Sequence, residues 1–294
     1  MIIFYLIFFA FCQAQITQIT QLSCGLNCEY TIESSTMIIN VNGIIDSRTQ
    51  WDTNKLKTIN TLKINGDLKQ FPKHFIQQFT SLKTIELHIE NVLQGMFAKT
   101  QIENVIIGKE VKQIEERVFE HCDKLTSIQF NQESSLETIK DSAFKDCISL
   151  KLITLPKSLQ NIQFYTVFIG CNQWQTIQFE EGNDELVIEN YAFKNCEELT
   201  TINIPKRLKQ FDFNKFDGCD NLKKITIAED HEKYQIKENI IYSKDGTKIV
   251  YYPSELLQKD YFIIPNGIET IEKDVFSLNS ISSFYFNNQL KTIG

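Results

Sequence analysis

Glycine and proline are in short supply, at 11 and 5 of 294 residues, about 5% together where an average protein has roughly 12%. Other residues must therefore punctuate the fold. Arginine is scarcer still: Arg48, Arg117 and Arg207 are the only three among 30 basic residues, set against 37 acidic ones for a net charge of −7. Binding to nucleic acid needs a basic face for phosphates and forked Arg donors for base edges, and neither is supplied. Past Ala14 no apolar run approaches 18 residues, so no membrane-spanning helix is expected there. No Asn begins an Asn-x-Ser/Thr acceptor, so N-glycans are not expected. The signatures His-Glu-x-x-His, Gly-x-Ser-x-Gly, Gly-x-x-x-x-Gly-Lys and Gly-x-Gly-x-x-Gly are all missing, and with them the zinc, serine-nucleophile and phosphate-cradling chemistry they carry. Four histidines remain, His74, His88, His121 and His231. The pair His121–Cys122 suggests a thiol dyad, but adjacent residues of a strand or turn rarely point at each other. We expect no enzyme, cofactor or metal site.

What is present is core material, 42% apolar against 23% charged, which excludes disorder as a description of the chain. Residues 2–11 form ten consecutive apolar positions, about half of what a membrane span needs. With the small-x-small pattern Cys12-Gln13-Ala14 behind them, they have the layout of a secretory signal peptide cleaved after Ala14. Cleavage would remove one of eight cysteines and leave an odd number in an oxidising compartment.

A repeat organises the rest. Phe119, Phe144, Phe168, Phe193 and Phe216, spaced 25, 24, 25 and 23 apart, are each followed three positions later by Cys122, Cys147, Cys171, Cys196 and Cys219. Three further on stand Leu125, Leu150, Trp174, Leu199 and Leu222. Each block runs into an apolar-x-x-apolar-x-apolar segment such as Leu150, Ile153, Leu155, whose two-residue alternation predicts a strand with one buried face. A third apolar pair precedes the next Phe by eight and five residues: Val111/Ile114, Leu136/Ile139, Leu208/Phe211 and Ile268/Ile271. Three clusters at fixed offsets are what a coil needs if each side is to reach one core. The strand register extends back to Thr36 and forward to Phe286. It predicts about eleven coils and, at roughly 4.8 Å per strand, a stack about 50 Å long. Length here counts repeats rather than the two domains that about 150 residues per domain would give.

Leu-x-x-Ile-x-Ile in a period of 20–29 is the leucine-rich repeat pattern. The fuller Ala-Phe-x-x-Cys-x-x-Leu-x-x-Ile-x-Ile/Leu-Pro string, clearest from Ala143 to Pro156 and from Ala192 to Pro205, resembles the BspA-like (Treponema pallidum-type) leucine-rich repeat surface antigens. The stretch Tyr234 to Gly267 is similar to a hairpin insertion recurrent in that family, and Asp245-Gly246 between two alternating runs is itself a hairpin-turn signal. Across it the register lengthens by about 14 residues over a normal period. The resemblance implies an α/β-type, β-rich leucine-rich repeat solenoid with a parallel concave sheet, short helical or irregular convex segments and one β-hairpin insertion. We divide the chain into a signal peptide (1–14), an N-terminal cap (15–35) and a solenoid (36–294) with the insertion at about 232–258. Leu290 and Ile293 open a further repeat, and an uncapped solenoid end would leave core residues in water. We therefore expect a fragment or an early-terminated product, and the family implies further repeats and, in some members, a C-terminal membrane segment.

Phe75, Phe97, Phe119, Phe144, Phe168, Phe193, Phe216 and Phe276 form one column, expected to be a buried spine that needs no long-range contacts. The five ladder cysteines should stack at about 5 Å, near enough to bridge, or else pack as buried thiols, the reading we favour. A linear ladder does not offer a zinc tetrahedron. Cys24 and Cys28, ahead of the first coil, are candidates for a disulfide. Outward strand positions Ser127, Gln129, Leu152, Thr154, Thr176, Gln178, Thr201, Asn203, Lys224 and Thr226 would line the concave face. The candidate binding face comprises its uncharged polar members, fit for a protein or glycan ligand. Tyr234, Tyr242, Tyr251, Tyr252 and Tyr261 gather around the insertion, where packing against the solenoid edge is expected. The resemblance implies a secreted or surface-displayed protein in recognition or adhesion to host, matrix or other cells. A structural coat or spacer protein is the alternative, and an enzyme roofed by the insertion a distant third.

Overall fold

The structure, a computed structural model, describes residues 21–72, 74–163, 166–189, 192–209, 216, 218–219, 221–252, 261–273, 275–276 and 282–294. The segment 1–14, Phe211, Ile281 and the end of the expected insertion, 253–258, lie outside them. The chain winds as a β-rich leucine-rich repeat solenoid. Its long face carries one short strand per coil: Thr36–Ile44, Thr61–Gln70, Thr84–Ile89, Asn104–Ile107, Ser127–Phe130, Leu152–Leu155, Thr176–Phe179, Thr201–Ile204, Lys224–Ile227, Tyr261–Ile263 and Ser283–Tyr285. Where they pair, neighbours are parallel and in register, as in Ile85↔Val105↔Ile128 and Ile177↔Ile202↔Ile225, apart from a shift at Gly43–Ile44 in the first pair. They fall into three hydrogen-bonded stretches, ending at Ser127–Phe130, Lys224–Ile227 and Ser283–Tyr285. Alternate residues such as Ile153 and Leu155 are buried while Leu152 and Thr154 are exposed, the period-two pattern of a sheet with one solvated face.

The third apolar cluster of each repeat is itself a strand. Asn91–Val92, Gln113–Ile114, Thr138–Ile139, Asn161–Ile162 and Val187–Ile188 form a second parallel sheet, extended by an isolated bridge from Leu186 to Leu208. Helix among the described residues is limited to one turn at Thr53–Leu56, N-capped by Asp52, a 3-10 turn at Ile76–Gln78, and 3-10 conformation at Phe216. Apart from Phe216, the described residues of the convex segments beyond residue 93 lie mainly in turns. They too are hydrogen-bonded between coils, with the N–H groups of Arg117, Phe119 and His121 donating to the carbonyls of Asp141, Ala143 and Lys145 one coil on.

These turns explain how the chain manages with so little glycine. The residue just before the ladder position is left-handed in six successive coils: Lys99, His121, Asp146, Gly170, Asn195 and Gly218, with φ between 56° and 76°. Asn and Asp tolerate this region better than other non-glycine residues, since their short side chains bond locally.

At the N-terminus, Leu22–Gly25 and Cys28–Glu33 pair antiparallel and lead antiparallel into Thr36–Ile44. A disulfide joins Cys24 to Cys28 across this turn, with Cα atoms 5.0 Å apart. Ion pairs run along the surface from coil to coil in repeat register, including Glu90–Lys112, Glu115–Lys140, Lys209–Glu232 and Glu269–Lys291. Each is worth at most about 1 kcal/mol when exposed, but like-signed neighbours in a slipped register would repel.

The insertion differs from the single hairpin expected. It has three antiparallel strands, Tyr234–Lys237, Ile240–Ser243 and Lys248–Tyr251. Beside the Asp245–Gly246 turn there is an earlier one at Glu238–Asn239, where both residues have positive φ (52° and 64°), the conformation a tight two-residue hairpin prefers. The third strand then pairs parallel with Thr270–Ile271 and so joins the solenoid. The insertion divides the core. Ile241, Tyr234 and Tyr251 pack on the main cluster, whereas Ile240, Ile249, Tyr242 and Tyr252 pack on a second cluster with Phe262, Ile264 and Ile271.

Candidate functional site: the long sheet face

The face is positioned by the column behind it. Rings of Phe97, Phe119, Phe144, Phe168, Phe193 and Phe216 stack at 5.2–5.7 Å with interplanar angles of 4–13°. Phe75 reaches Phe97 through Phe71 and continues through Trp51 to Tyr30 in the cap. Among the described residues the stack is traced from Phe97 to Phe216; Phe276, expected to extend it, is half-buried and belongs to the second cluster with Tyr252, Phe262 and Phe284. The insertion stands between the two.

The ladder thiols are buried and free. Each Sγ donates to the carbonyl of the Phe one coil below: Cys122 to Phe97, Cys147 to Phe119, Cys171 to Phe144, Cys196 to Phe168 and Cys219 to Phe193, at 3.1–3.3 Å. The coil of Phe97 has no Cys; Thr100 holds that place, and its hydroxyl donates to the Phe97 carbonyl at 2.7 Å. A hydroxyl three residues after Phe was the available sequence signal for this coil, and a search keyed on Cys misses it. Burial pushes the Cys122 thiol up to about 11 and Cys171 to about 12, and raises Cys147 and Cys196 well above their ordinary value. Such thiols are poor nucleophiles. His121 and Cys122 do not form a dyad: the imidazole lies 3.6 Å from Asp146 and is part-exposed, while the thiol points into the core.

On the face itself the sheet aligns Ile106 with Gln129, Thr154 with Gln178, and Asn203 with Thr226. A parallel column aligns Asn104 with Ser127, and Leu152 with Thr176, Thr201 and Lys224. Gln129, Thr154, Gln178 and Thr226 are exposed; Ser127, Thr176, Thr201 and Asn203 are half-buried. Thr154 donates to Gln178 at 3.3 Å. Asn203 is already committed. Its amide accepts from the Phe179 N–H at 3.0 Å and donates to the Phe179 carbonyl at 3.2 Å, carrying on past Ile202, where the backbone ladder between these strands stops. Toward the N-terminus the face carries the Lys63–Glu86 ion pair and an Asn65–Asn40 amide bond. Toward the C-terminus Tyr261, Ile263 and Tyr285 are exposed. No helix among the described residues is long and apolar enough to cross a membrane, and no group of three or more metal-ligating side chains occurs among them.

The family model described as the BspA type leucine rich repeat region (6 copies) matches residues 32–126, 112–245 and 187–294. The chain belongs to this family. Among solved structures, the BspA-type chain is similar to the pneumococcal vaccine antigen PcpA, at 20% identity and a TM-score of 0.61, with 94% of this chain and 66% of that one covered. It is also similar to a leucine-rich cell surface protein of Faecalibacterium prausnitzii, at 19% identity and a TM-score of 0.50, covering 94% and 72%. The chain thus spans just under two thirds of the length of PcpA. None of the curated proteins compared matches it. Identities this low establish a shared solenoid and nothing finer, and a leucine-rich repeat scaffold of this kind points away from catalysis.

Proposed function

We propose that this protein is secreted or displayed at the cell surface and recognises another protein through the long sheet face. The carrying observation is the exposed, uncharged row of Gln129, Thr154, Gln178 and Thr226, held flat by the Phe column and the Cys ladder beneath it. A surface fixed by its neighbours loses little conformational freedom on binding, so more of the contact energy remains as affinity. Exposed Tyr261 and Tyr285 toward the C-terminal coils favour a protein over a glycan partner, because tyrosine is enriched at protein interfaces. The signal-peptide layout of residues 1–14 and the printed description of the F. prausnitzii neighbour as a cell surface protein support the location.

The test is a set of charge substitutions, Gln129→Lys, Thr154→Lys, Gln178→Lys and Thr226→Lys, assayed for attachment to epithelial cells and immobilised matrix proteins alongside thermal melting. Loss of attachment with unchanged melting is the expected result. A parent protein that attaches to nothing, or variants that attach equally well, would favour a spacer rod instead.

A further inference from the structure

The turn that launches the insertion contains a histidine in an unusual position. His231 is fully buried. Its Nδ1 accepts two backbone N–H groups, from Lys233 and Tyr234, each at 3.2 Å. An atom that accepts two hydrogen bonds carries a lone pair, so the ring hydrogen lies on Nε2, which sits 3.0 Å from the Leu208 carbonyl oxygen in the coil below and donates to it. The ring also packs on Tyr234, 5.0 Å between centroids. One neutral imidazole thus ties the first residues of the insertion to the preceding coil, at the point where the core divides in two.

We propose that His231 is a pH-sensitive latch that fastens the insertion to the solenoid while the imidazole is neutral and releases it when the ring gains a second proton. A proton on Nδ1 would face the N–H groups of Lys233 and Tyr234 and abolish both bonds. It would also create a buried cation with no carboxylate bonded to the ring. The surrounding charges add to this. Lys209 from the coil below and Lys244 from the insertion both oppose a charged ring, and Glu232 in its own turn favours one. Glu232 is held by Lys209, and nearby Asp230 by Lys206; Lys244 itself donates to the Glu229 carbonyl at 3.4 Å. Burial is the largest influence; it outweighs the Leu208 carbonyl, which by accepting from the ring favours the charged form, and the balance sets the histidine below its ordinary 6.5. The sign follows: an unfolded or released chain binds the proton more readily than the latched one, so latching is complete above pH 6.5 and is lost as the pH falls below it.

The test is amide hydrogen exchange on the whole protein at pH 7.5 and 5.0, corrected for intrinsic rates, with Lys244→Gln and His231→Gln beside the parent. In the parent, protection of the Lys233 and Tyr234 amides and of residues 240–251 should drop at least tenfold at pH 5.0, while residues 102–155 stay protected. Lys244→Gln removes a repelling charge, so its release should shift to higher pH. His231→Gln should lose the pH dependence at these amides. Protection that persists to pH 4.5, falls evenly along the chain, or has the same midpoint in Lys244→Gln would overturn the latch.

Discussion

The Cys147 thiol donates to the Phe119 carbonyl, 3.2 Å away and one coil below, and the same oxygen accepts the Cys122 backbone N–H at 3.1 Å. Both lone pairs of that carbonyl are thereby used, one within the coil and one between coils. The pattern recurs at Phe144, where Cys147 N and Cys171 Sγ share the oxygen. The thiol thus supplies the carbonyl's second hydrogen bond, the one that runs between coils, worth about 0.5–1.5 kcal/mol net for a typical bond, and this gives the Cys column a reason to exist other than disulfides.

Thiol labelling tests it directly. Burial holds Cys122 at about 11 and Cys171 at about 12 and raises Cys147 and Cys196 well above their ordinary value, so these four form no reactive thiolate at pH 8 in the folded protein, and Cys219 is shielded by its burial. A thiol-specific reagent at that pH should leave Cys122, Cys147, Cys171, Cys196 and Cys219 unmodified, and should modify all five once 6 M guanidinium is added. Rapid labelling of any one without denaturant would show that its coil is open.

Removing a ring from the Phe stack should be severe at its centre and milder outside it. Phe144 is fully buried between Phe119 and Phe168, and Phe144→Ala should cost roughly 3–5 kcal/mol in urea unfolding. Phe276 is half-buried in the second cluster, so Phe276→Ala should cost clearly less. Equal losses would mean that the two clusters form one continuous spine.

Gly170 has φ +76°, and a Cβ there would lie 2.1 Å from Asp146 Oδ1. Gly170→Ala should therefore lower the melting temperature through both strain and collision. Adding Asp146→Gly should restore much of the loss, because it removes the struck atom at a position that is itself left-handed. Failure of this rescue would place the cost in backbone strain alone.

Trp174 stands where other coils have Leu, between Phe168 and Phe193. Its indole nitrogen is buried and has no hydrogen-bond partner among the described residues. Trp174→Phe discards that N–H while keeping an aromatic ring, so it should cost less than about 1.5 kcal/mol, and far less than Phe144→Ala. A loss of 3 kcal/mol or more would show that the indole shape, not its aromatic bulk, is what the core requires.

Asn203 shows where reading outward strand positions falls short. Alternation puts it on the solvated face with Gln178 and Thr226, but only the fold shows its amide bonded to both polar atoms of the Phe179 backbone. His231 is the converse case: nothing in its local sequence marks it as buried or names Leu208, 23 residues earlier, as its partner.

The sequence by itself determined the coil. Phe, Cys, Leu and alternating Ile at fixed offsets specify which residues face inward, because each repeat contacts mainly its neighbours and the local pattern is therefore nearly the whole structure. Only the tertiary structure decided what lies between coils: the second sheet, the thiol-to-carbonyl rungs, the ion-pair register, and the insertion that splits the core and leaves Phe276 in a second cluster. Those features depend on the distance and direction between atoms some 20–28 residues apart in the chain, and a periodic pattern records neither.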